Sequence, residues 1–518
     1  MHTIRSLVPL IALALFAAGS AQAQYQPPVD IVAGKAAVDA GSGRLLLMFE
    51  KVNPAKPNMP DAVDADAFFK LETSVVAREV AGLSSGAHVV MYPGDAAYPA
   101  PLDQLPAGDY WVQALLDRDH SYSFSGRGPG DVVSPVMRIS LPRAGAPLAL
   151  SLDRELPALK PWEFASGRPM FKPEDQPFME QHIKPFEVKS RAVQAFTGRP
   201  ASIRGYVVTP PGYDESTTRY PVVYFTQGFQ AGMRSLLDTA GGVLRQARAG
   251  LLPPMIWVLL DYSGPTGTHE FADSVNNGPW GRALTEELLP EIDRQYRTDP
   301  AAGRFIMGHS SGGWASLWAQ ITYPTLFRGA WATSPDFADF TDFEGVDITR
   351  PGARMKDLRS ARMEAVLGET GGQESSFEWV FSPRGPDGRP MQMYDRATGL
   401  VNREVADYWR ANYDVSQIVR TRWPALKRDV DGKIHVIVGD KDDYGLNHTA
   451  RKLEEAFKAV GANASFTYVP GKGHYNLYAE GDERMALRRK IGWQMWKVAY
   501  PQSPLSDPGP PTAVAAAK

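Results

Sequence analysis

The sequence has 518 residues, no cysteine and a formal net charge of -3, with 55 Lys plus Arg against 58 Asp plus Glu. This length indicates more than one domain, and 43% apolar with 22% charged residues is typical of globular proteins. The lack of cysteine excludes disulfides, thiolate zinc sites, iron–sulfur clusters and a cysteine nucleophile. The near balance of charge, without a basic stripe, argues against a nucleic-acid partner.

The first 23 residues are typical of a secretory signal peptide. Arg5 gives a positive start, Leu7–Gly19 is apolar, and Ala21-Gln22-Ala23 forms a small-residue cleavage site. The apolar run is shorter than the roughly 20 residues of a bilayer span, and no later segment is long enough for one. We therefore expect residues 1–23 to be removed and the protein to be periplasmic or secreted.

Residues 24–150 are predicted to form a small all-β sandwich domain. Apolar runs alternate with clusters of Gly, Pro and Asp, and no helical period is evident. The clearest predicted strands are 44–49, 88–92, 109–115 and 136–141. Residues 151–186 carry six prolines and are predicted to be a stiff linker.

From residue 187 to about 500, predicted strands alternate with predicted helices. This alternation is typical of a mainly parallel sheet with helices on both faces, an α/β fold. The predicted strands are 222–226, 255–261, 304–308, 329–333, 434–439 and 464–469, and the predicted helices are 233–248, 281–296, 312–321 and 447–460.

One connection in this region is much longer than the others. Residues 336–430 separate two predicted strands that a few residues would normally join, so we expect an inserted cap over one end of the sheet. After the last helix, residues 501–518 are rich in Pro and Ala and are predicted to be a disordered tail.

The pattern Gly-x-Ser-x-Gly occurs twice, at residues 82–86 and 308–312. A nucleophile elbow requires a strand before the serine and a helix after it. Ser310 has both, whereas Ser84 is followed by a predicted strand. A helix that begins at the serine also points its free amides at developing negative charge. We therefore predict Ser310 as the nucleophile and Ser84 as a turn residue.

A serine nucleophile needs a base, and three histidines follow Ser310. His435 lies inside a predicted strand and His448 lies at a predicted helix start, which favours structural roles for both. His474 follows the last predicted strand, at the end of the sheet where parallel α/β folds gather their sites. His474 is therefore the predicted base.

Three acids that follow the strand at 434–439 compete to orient this histidine. Their position gives the chain order Ser, Asp, His that is expected of an α/β-hydrolase. Asp442 has the favoured offset from the strand end, and Asp440 and Asp443 remain open as alternatives.

An oxyanion hole needs two backbone amides, and the amide that follows the nucleophile belongs to Ser311. The second is expected in the loop after strand 222–226, at Phe229, where Gly228 would let the backbone approach the substrate. His269 and Trp280 lie in a loop expected to border the site, and we predict them as substrate contacts. Aromatic residues of the cap could add an acyl pocket: Phe377, Trp379 and Tyr394.

No metal or cofactor site is indicated. The acidic run at 440–443 fails as a calcium loop because Tyr444 and Arg451 occupy ligand positions. The stretch His269–Asp273 lacks the second histidine of a zinc-binding helix.

Five segments of the chain resemble the putative esterase (esterase D-like) family of α/β-hydrolases: Arg219–Tyr224, Leu288–Tyr296, Gly308–Gly313, Gly439–Asp443 and Gly473-His474. The family includes feruloyl, acetyl-xylan and siderophore esterases, S-formylglutathione hydrolases and mycolyltransferases. The resemblance covers about 187–500 without the insertion, and implies Ser310, an aspartate near 442, and His474 as the catalytic residues. Gln227 departs from the histidine common before the oxyanion glycine.

These observations predict an exported serine hydrolase that cleaves a small-molecule or saccharide-linked carboxylic ester through an acyl-enzyme. A serine peptidase or an acyltransferase would keep the same triad. A non-catalytic adhesion or carbohydrate-binding protein is a further alternative if the front domain carries the function. The sequence does not indicate an oligomeric state.

Overall fold

The computed structural model describes residues 28–34, 41–143, 147–160, 162–164, 166–368 and 370–510. The signal peptide expected at 1–23 lies outside these residues. Within the described ranges, no helix is both long and apolar enough to cross a membrane.

The N-terminal region, residues 28–155, consists mainly of strands: β1 (Val29–Ala33), β2 (Gly41–Lys51), β3 (Ser74–Leu83), β4 (His88–Met91), β5 (Ala96–Tyr98), β6 (Gly108–Asp117), β7 (Val132–Val133), β8 (Met137–Leu141), β9 (Leu148–Leu152) and β10 (Arg154–Glu155). A three-stranded sheet has the order β4-β1-β9, and a seven-stranded sheet has the order β10-β7-β6-β2-β3-β5, with β8 paired to β6. Sequence patterns predicted β2, β4, β6 and β8 and did not single out the other six strands.

Strand β2 is apolar on both faces, and each face packs into a different core. Leu45 and Leu47 join the core shared with the three-stranded sheet. Leu46 and Met48 pack on the opposite side, in a core that includes Met363 from the long insertion. A strand that is buried on both faces shows no polar alternation in its sequence.

Residues 183–469 build a single eight-stranded sheet. Its strands are β11 (Ile183–Lys189), β12 (Ser202–Val208), β13 (Val222–Thr226), β14 (Ile256–Asp261), β19 (Arg304–His309), β20 (Gly329–Thr333), β21 (Ile434–Gly439) and β22 (Ser465–Val469), while β15 (Ser263–Gly264), β16 (Gly267–Thr268), β17 (Asp273–Ser274) and β18 (Gly278–Pro279) form two small hairpins. The sheet order is β11-β12-β14-β13-β19-β20-β21-β22. The first two pairings are antiparallel and the other five are parallel, so the carboxyl ends of six neighbouring strands meet at one edge.

The sheet begins before the predicted boundary at 187. Strand β11 includes Pro185, in the stretch predicted to be a linker. Proline is tolerated there because β11 is the edge strand and needs no ladder bond on its outer side.

Helices cover both faces of the sheet and fill the insertion. They are α1 (Tyr122–Ser125), α2 (Gln176–His182), α3 (Arg191–Thr197), α4 (Met233–Arg248), α5 (Trp280–Arg282), α6 (Leu289–Gln295), α7 (Ser311–Thr322), α8 (Arg359–Leu367), α9 (Gln373–Phe381), α10 (Arg403–Asn412), α11 (Val415–Val430), α12 (Leu446–Ala459) and α13 (Ala486–Ala499). A π-helical segment, Ala283–Leu288, joins α5 to α6, and short 3-10 turns occur at Leu102–Gln104 and Phe340–Asp342. The segment 336–430, which holds α8 to α11, packs aromatic side chains against α7, with the rings of Phe381 and Trp314 4.8 Å apart.

The first part of the predicted disordered tail is held by the fold. Asp507 forms an ion pair with Arg489, and the Trp496 indole donates a hydrogen bond to the Ser503 hydroxyl at 2.9 Å. Residues 511–518 lie outside the described residues.

Candidate active site

Ser310 stands at the sharp turn between β19 and α7. Its backbone has φ 58° and ψ -125°, a left-handed conformation that costs about 1–3 kcal/mol for a residue other than glycine. A Cβ at Gly308 would lie 2.0 Å from the Gly312 carbonyl oxygen, and one at Gly312 would lie 2.3 Å from the carbonyl oxygen of Thr226. Both positions therefore require glycine, which explains the spacing of the pattern.

His474 and Asp442 form a buried pair beside this turn. The imidazole Nδ1 lies 2.9 Å from Asp442 Oδ2, and the backbone amide of Tyr444 donates to the other carboxylate oxygen at 3.1 Å. Burial favours the neutral acid, but the hydrogen bond and charge of His474 outweigh it and hold the pKa of Asp442 below its usual value. A charged carboxylate on Nδ1 leaves Nε2 as the proton acceptor of the neutral ring.

The other two acids of the run bind backbone amides. Asp443 accepts a hydrogen bond from the amide of His474 at 2.7 Å, and Asp440 accepts one from Gly471 at 2.7 Å. Of these three acids, Asp442 is the one whose carboxylate contacts the imidazole.

The ring of His309 connects His474 to the turn. The two imidazole centroids are 4.5 Å apart, which brings His474 beside the residue that precedes Ser310. Burial and the neighbouring His474 lower the pKa of His309 to about 3, so His309 is neutral near pH 7.

A fourth acid, Asp336, contacts the candidate nucleophile directly. The Ser310 hydroxyl donates to Asp336 Oδ1 at 3.1 Å, rather than to His474, and the Ser311 hydroxyl donates to Oδ2 at 2.6 Å. Burial raises the pKa of Asp336. No sequence pattern singled out this residue, although its position just after β20 (Gly329–Thr333) places it at the end of the sheet where such sites form.

A cavity of about 480 Å³ opens above Ser310. Its wall combines the sheet edge with side chains from four other parts of the chain: the N-terminal region, helix α4, the segment 336–430 and the stretch that leads into α13. Its lining residues include Phe68, Phe69, Gly228, Phe229, Ser235, Thr239, Ser310, Asp336, Glu344, Phe377, Tyr444, His474, Tyr475, Tyr478, Arg484 and Arg488.

The loop after β13 lies against Ser310. A Cβ at Gly228 would come within 3.0 Å of the Ser310 Cβ and 3.6 Å of its Oγ. Phe229 follows in the cavity wall, and Ser311 is the fully buried first residue of α7. The structure therefore brings the three residues predicted around the oxyanion to the turn.

The structure does not bring His269 and Trp280 to the cavity, because neither is among its lining residues. Their rings stack on each other with centroids 3.9 Å apart, and His269 Nδ1 accepts a hydrogen bond from the Phe271 amide at 3.2 Å. Burial lowers the pKa of His269 to about 3, as for a neutral packing residue. Of the three aromatic residues predicted in the insertion, Phe377 lines the cavity, whereas Trp379 and Tyr394 do not.

The N-terminal region supplies two rings to the cavity that no sequence pattern predicted. Asp66 Oδ1 accepts the backbone amides of Phe68 and Phe69 at 2.7 and 2.8 Å and so fixes a tight turn. The Phe68 ring then packs on Phe229 at 5.9 Å and on Tyr444 at 6.4 Å. This turn reaches the cavity from about 240 residues upstream of the nucleophile in the sequence.

Among the described residues, one group of side chains has the spacing of a metal site. Asp117, Asp119 and Asp131 place ligand oxygens within 4.8 Å of one another in the N-terminal region. None of them lines the cavity, and backbone amides already bind Asp117 and Asp131.

Comparison with known proteins places the chain in a family. The family model described as "Esterase: Putative esterase" matches residues 199–499, which is more than half of the chain. No curated protein matches the chain.

Several solved structures are similar to the chain at low identity. A ferulic acid esterase is 16% identical with a TM-score of 0.40, covering 61% of this chain and 98% of that chain. An S-formylglutathione hydrolase from Agrobacterium tumefaciens is 14% identical with a TM-score of 0.38, covering 61% and 95%. The serine hydrolase FphF of Staphylococcus aureus is 12% identical with a TM-score of 0.36, covering 61% and 98%. These similarities are too distant to add to the family match. The chain therefore belongs to the Putative esterase family and is a carboxylic-ester hydrolase with an α/β-hydrolase fold.

Proposed function

We propose that Ser310 is the nucleophile of this esterase, with His474 as its general base and Asp442 as the acid that orients the imidazole. The observation that carries the proposal is the left-handed backbone of Ser310 (φ 58°) at the floor of the cavity, beside the buried His474–Asp442 pair. Strain of this kind persists where the surrounding fold enforces it, and it exposes the serine oxygen to substrate.

In the proposed reaction, the Ser310 side chain rotates from Asp336 toward His474 Nε2 and attacks the acyl carbon. His474 takes the hydroxyl proton, and the negative charge of Asp442 stabilises the resulting imidazolium. The proton then passes to the leaving alcohol as the C–O bond breaks, which leaves an acyl-enzyme on Ser310. Water activated by His474 releases the acid and restores the serine.

The amides of Ser311 and Phe229 are the proposed oxyanion donors. Ser311 lies in the first turn of α7, where the amide lacks a helical partner and the dipole favours negative charge. The close approach of Gly228 to Ser310 supports the placement of the next amide, that of Phe229, at the same carbonyl oxygen.

The remaining parts of the chain fit an exported enzyme with an elaborated cavity. We assign residues 1–23 to a signal peptide and 24–150 to a β-sandwich domain ahead of the hydrolase fold. Residues 336–430 are a cap that supplies Glu344 and Phe377 to the cavity wall. The protein is accordingly proposed to act in the periplasm or outside the cell, on a small or saccharide-linked ester.

The replacement Ser310→Ala tests the nucleophile. Hydrolysis of 4-nitrophenyl butyrate should fall by about 10⁴-fold or more, because losing the nucleophile removes the acyl-enzyme route. A fluorophosphonate probe should label the parent protein and not the variant.

The chain contains its own matched control for that experiment. Ser84 lies in the other Gly-x-Ser-x-Gly pattern, at residues 82–86, in an exposed turn of the N-terminal region. Ser84→Ala should keep full activity and labelling. A Ser310→Ala protein that turned over at the parent rate would refute the proposal.

A further inference from the structure

Arg488 is a buried arginine in the wall of the candidate active-site cavity. It lies in the first turn of α13 and is 5% exposed. Its Nη1 atom is buried and has no hydrogen-bond partner among the described residues. None of the described carboxylates forms an ion pair with it.

Such an arginine is unusual because burying its positive charge costs free energy of folding. Burial lowers the pKa of Arg488 to about 10, and the positive charge of Arg245 acts in the same direction, while Tyr478 and the carboxylate of Asp238 oppose the shift without reversing it. The first turn of a helix also carries the positive end of the helix dipole, which disfavours a cation. A buried charge without a partner destabilises a fold by several kcal/mol unless something else compensates it.

The next residue provides an internal comparison. Arg489 is 2% exposed, but its guanidinium binds Glu483 at 3.0 Å and also pairs with Asp507. The same turn of α13 therefore holds two buried arginines, one neutralised by two acids and one that faces the cavity. This contrast argues that the free guanidinium is kept for a ligand.

The surroundings of Arg488 fit an anion. The hydroxyl of Thr239 on α4, which accepts a hydrogen bond from Gln227 and keeps its own proton to donate, and the exposed Arg484 line the same cavity. Gly242 of α4 leaves room for the guanidinium, since a Cβ there would lie 3.1 Å from Arg488 Nη1. These groups are hydrogen-bond donors or cations, the partners that a carboxylate requires.

The position of Arg488 relative to the nucleophile follows from Tyr478. The Tyr478 hydroxyl shares a hydrogen bond with Thr333 Oγ1 at 2.8 Å, and its ring meets that of His309 at 5.6 Å. Tyr478 also lines the cavity and interacts electrostatically with Arg488. Arg488 thus belongs to the His309 side of the turn that carries Ser310.

We propose that Arg488 binds a carboxylate of the substrate, so that the enzyme prefers esters that carry a negative charge away from the scissile bond. The inference rests on the proposed function, because it takes the cavity above Ser310 as the place where the ester reacts. Charge-assisted hydrogen bonds to a guanidinium in a buried site give a preference of about tenfold or more.

Two matched pairs of esters test the proposal. One pair differs on the acyl side: the mono-4-nitrophenyl ester of glutaric acid and its neutral monoamide analogue. The other pair differs on the alcohol side: the butyrate esters of 3-hydroxybenzoic acid and 3-hydroxybenzamide. In at least one pair, kcat/KM of the parent enzyme should favour the anionic member by about tenfold or more.

The preference should depend on Arg488. Arg488→Met should abolish it while hydrolysis of the neutral esters stays within about threefold, and Arg488→Lys should retain part of it. Arg488→Gln replaces the methionine variant if that one does not fold. Arg245→Gln removes a neighbouring charge that does not line the cavity, and it should keep the preference.

Binding separates this proposal from the proposed function. In the Ser310→Ala background, calorimetric titration with the same four compounds measures affinity without turnover, and the anionic member should bind more tightly only when Arg488 is present. Equal affinity within both pairs, or a preference that survives Arg488→Met, would overturn the anionic subsite. Turnover by the Ser310→Ala protein would instead overturn the assignment of the nucleophile.

Discussion

Two carboxylates lie beside the elbow, and their hydrogen bonds indicate different tasks. Asp442 contacts the imidazole of His474, whereas Asp336 contacts the hydroxyls of Ser310 and Ser311. Asp336 therefore binds the resting hydroxyl of Ser310, and Asp442 is placed to orient the proposed base. Burial raises the pKa of Asp336, and an asparagine side chain keeps the shape of this group without its charge.

Replacing each acid by asparagine distinguishes these tasks. Asp442→Asn should lower kcat for 4-nitrophenyl butyrate by about a thousandfold or more, because the imidazole loses its orienting charge. Asp336→Asn should lower it by less than about tenfold, since the hydrogen bond to the resting hydroxyl can be replaced. A larger loss in Asp336→Asn than in Asp442→Asn would transfer the orienting role to Asp336.

Single residues also mark the limit of what the sequence could predict about the site. Ser310 and His474 follow from strand and helix context, because the carboxyl end of a parallel strand is defined locally. Asp336 obeys the same rule but was obscured by the start of a long insertion. Arg488 carries no local signal, since its lack of a partner depends on side chains that pack around it in three dimensions.

At the level of elements, the parallel part of the sheet was predicted closely. Strands 222–226, 329–333 and 434–439 occur at the predicted residues, because strands covered on both faces are continuous apolar runs. The antiparallel edge was missed. Strands β11 and β12 contain Pro185 and Gly205, which read as breaks. Pro185 is tolerated because β11 is the edge strand, and Gly205 is required because a Cβ there would lie 1.9 Å from the Leu259 carbonyl oxygen.

The turn at Phe68 shows how an element far away in sequence completes the site. Its ring packs edge-on against Phe229, the residue whose amide we assign to the oxyanion hole. Aromatic pairs of this geometry contribute about 0.5–1.5 kcal/mol each beyond their buried area. The turn therefore stabilises the loop after β13, which carries this amide.

Phe68→Ala should lower kcat/KM for 4-nitrophenyl butyrate by about tenfold, because it removes the packing against Phe229 and Tyr444. Steady-state kinetics measures the effect. Tyr92→Ala, which removes an exposed ring from the same N-terminal region outside the cavity, should leave activity unchanged. Equal effects of the two replacements on kcat/KM would show that the Phe68 turn does not contribute to the site.

On the scale of the whole molecule, the N-terminal region and the insertion share one core. Met363 and Leu367 of α8 pack with Leu46 and Met48 of β2, and Arg44 Nε donates to the Val366 carbonyl at 2.8 Å. With no cysteine in the chain, disulfides cannot hold these two regions together, and packing must supply that stability. The same insertion buries acids whose ionisation opposes that stability.

Glu364 is the clearest of these acids. It accepts hydrogen bonds from the amides of Gln373 and Glu374 at 2.7 and 3.1 Å, and burial followed by the charge of Glu374 raises its pKa. A folded pKa above the unfolded value of about 4.3 means that the native state binds more protons between the two values. Protonated Glu364 makes its full contribution to stability below about pH 4, and this contribution is lost as the pH rises toward the folded pKa. Glu364 therefore makes the protein less stable at pH 8 than at pH 5.

Glu364→Gln removes this ionisation. Calorimetry should show that the variant gains stability relative to the parent at pH 8, on the order of 1–3 kcal/mol, because folding no longer requires the buried side chain to take up a proton. At pH 5 the gain should vanish or reverse, since the protonated glutamate already accepts both amides. Glu455→Gln, on the exposed face of α12, should change the melting temperature by the same amount at pH 5 and at pH 8. A gain for Glu364→Gln that was the same at both pH values would show that packing, rather than ionisation, sets the effect.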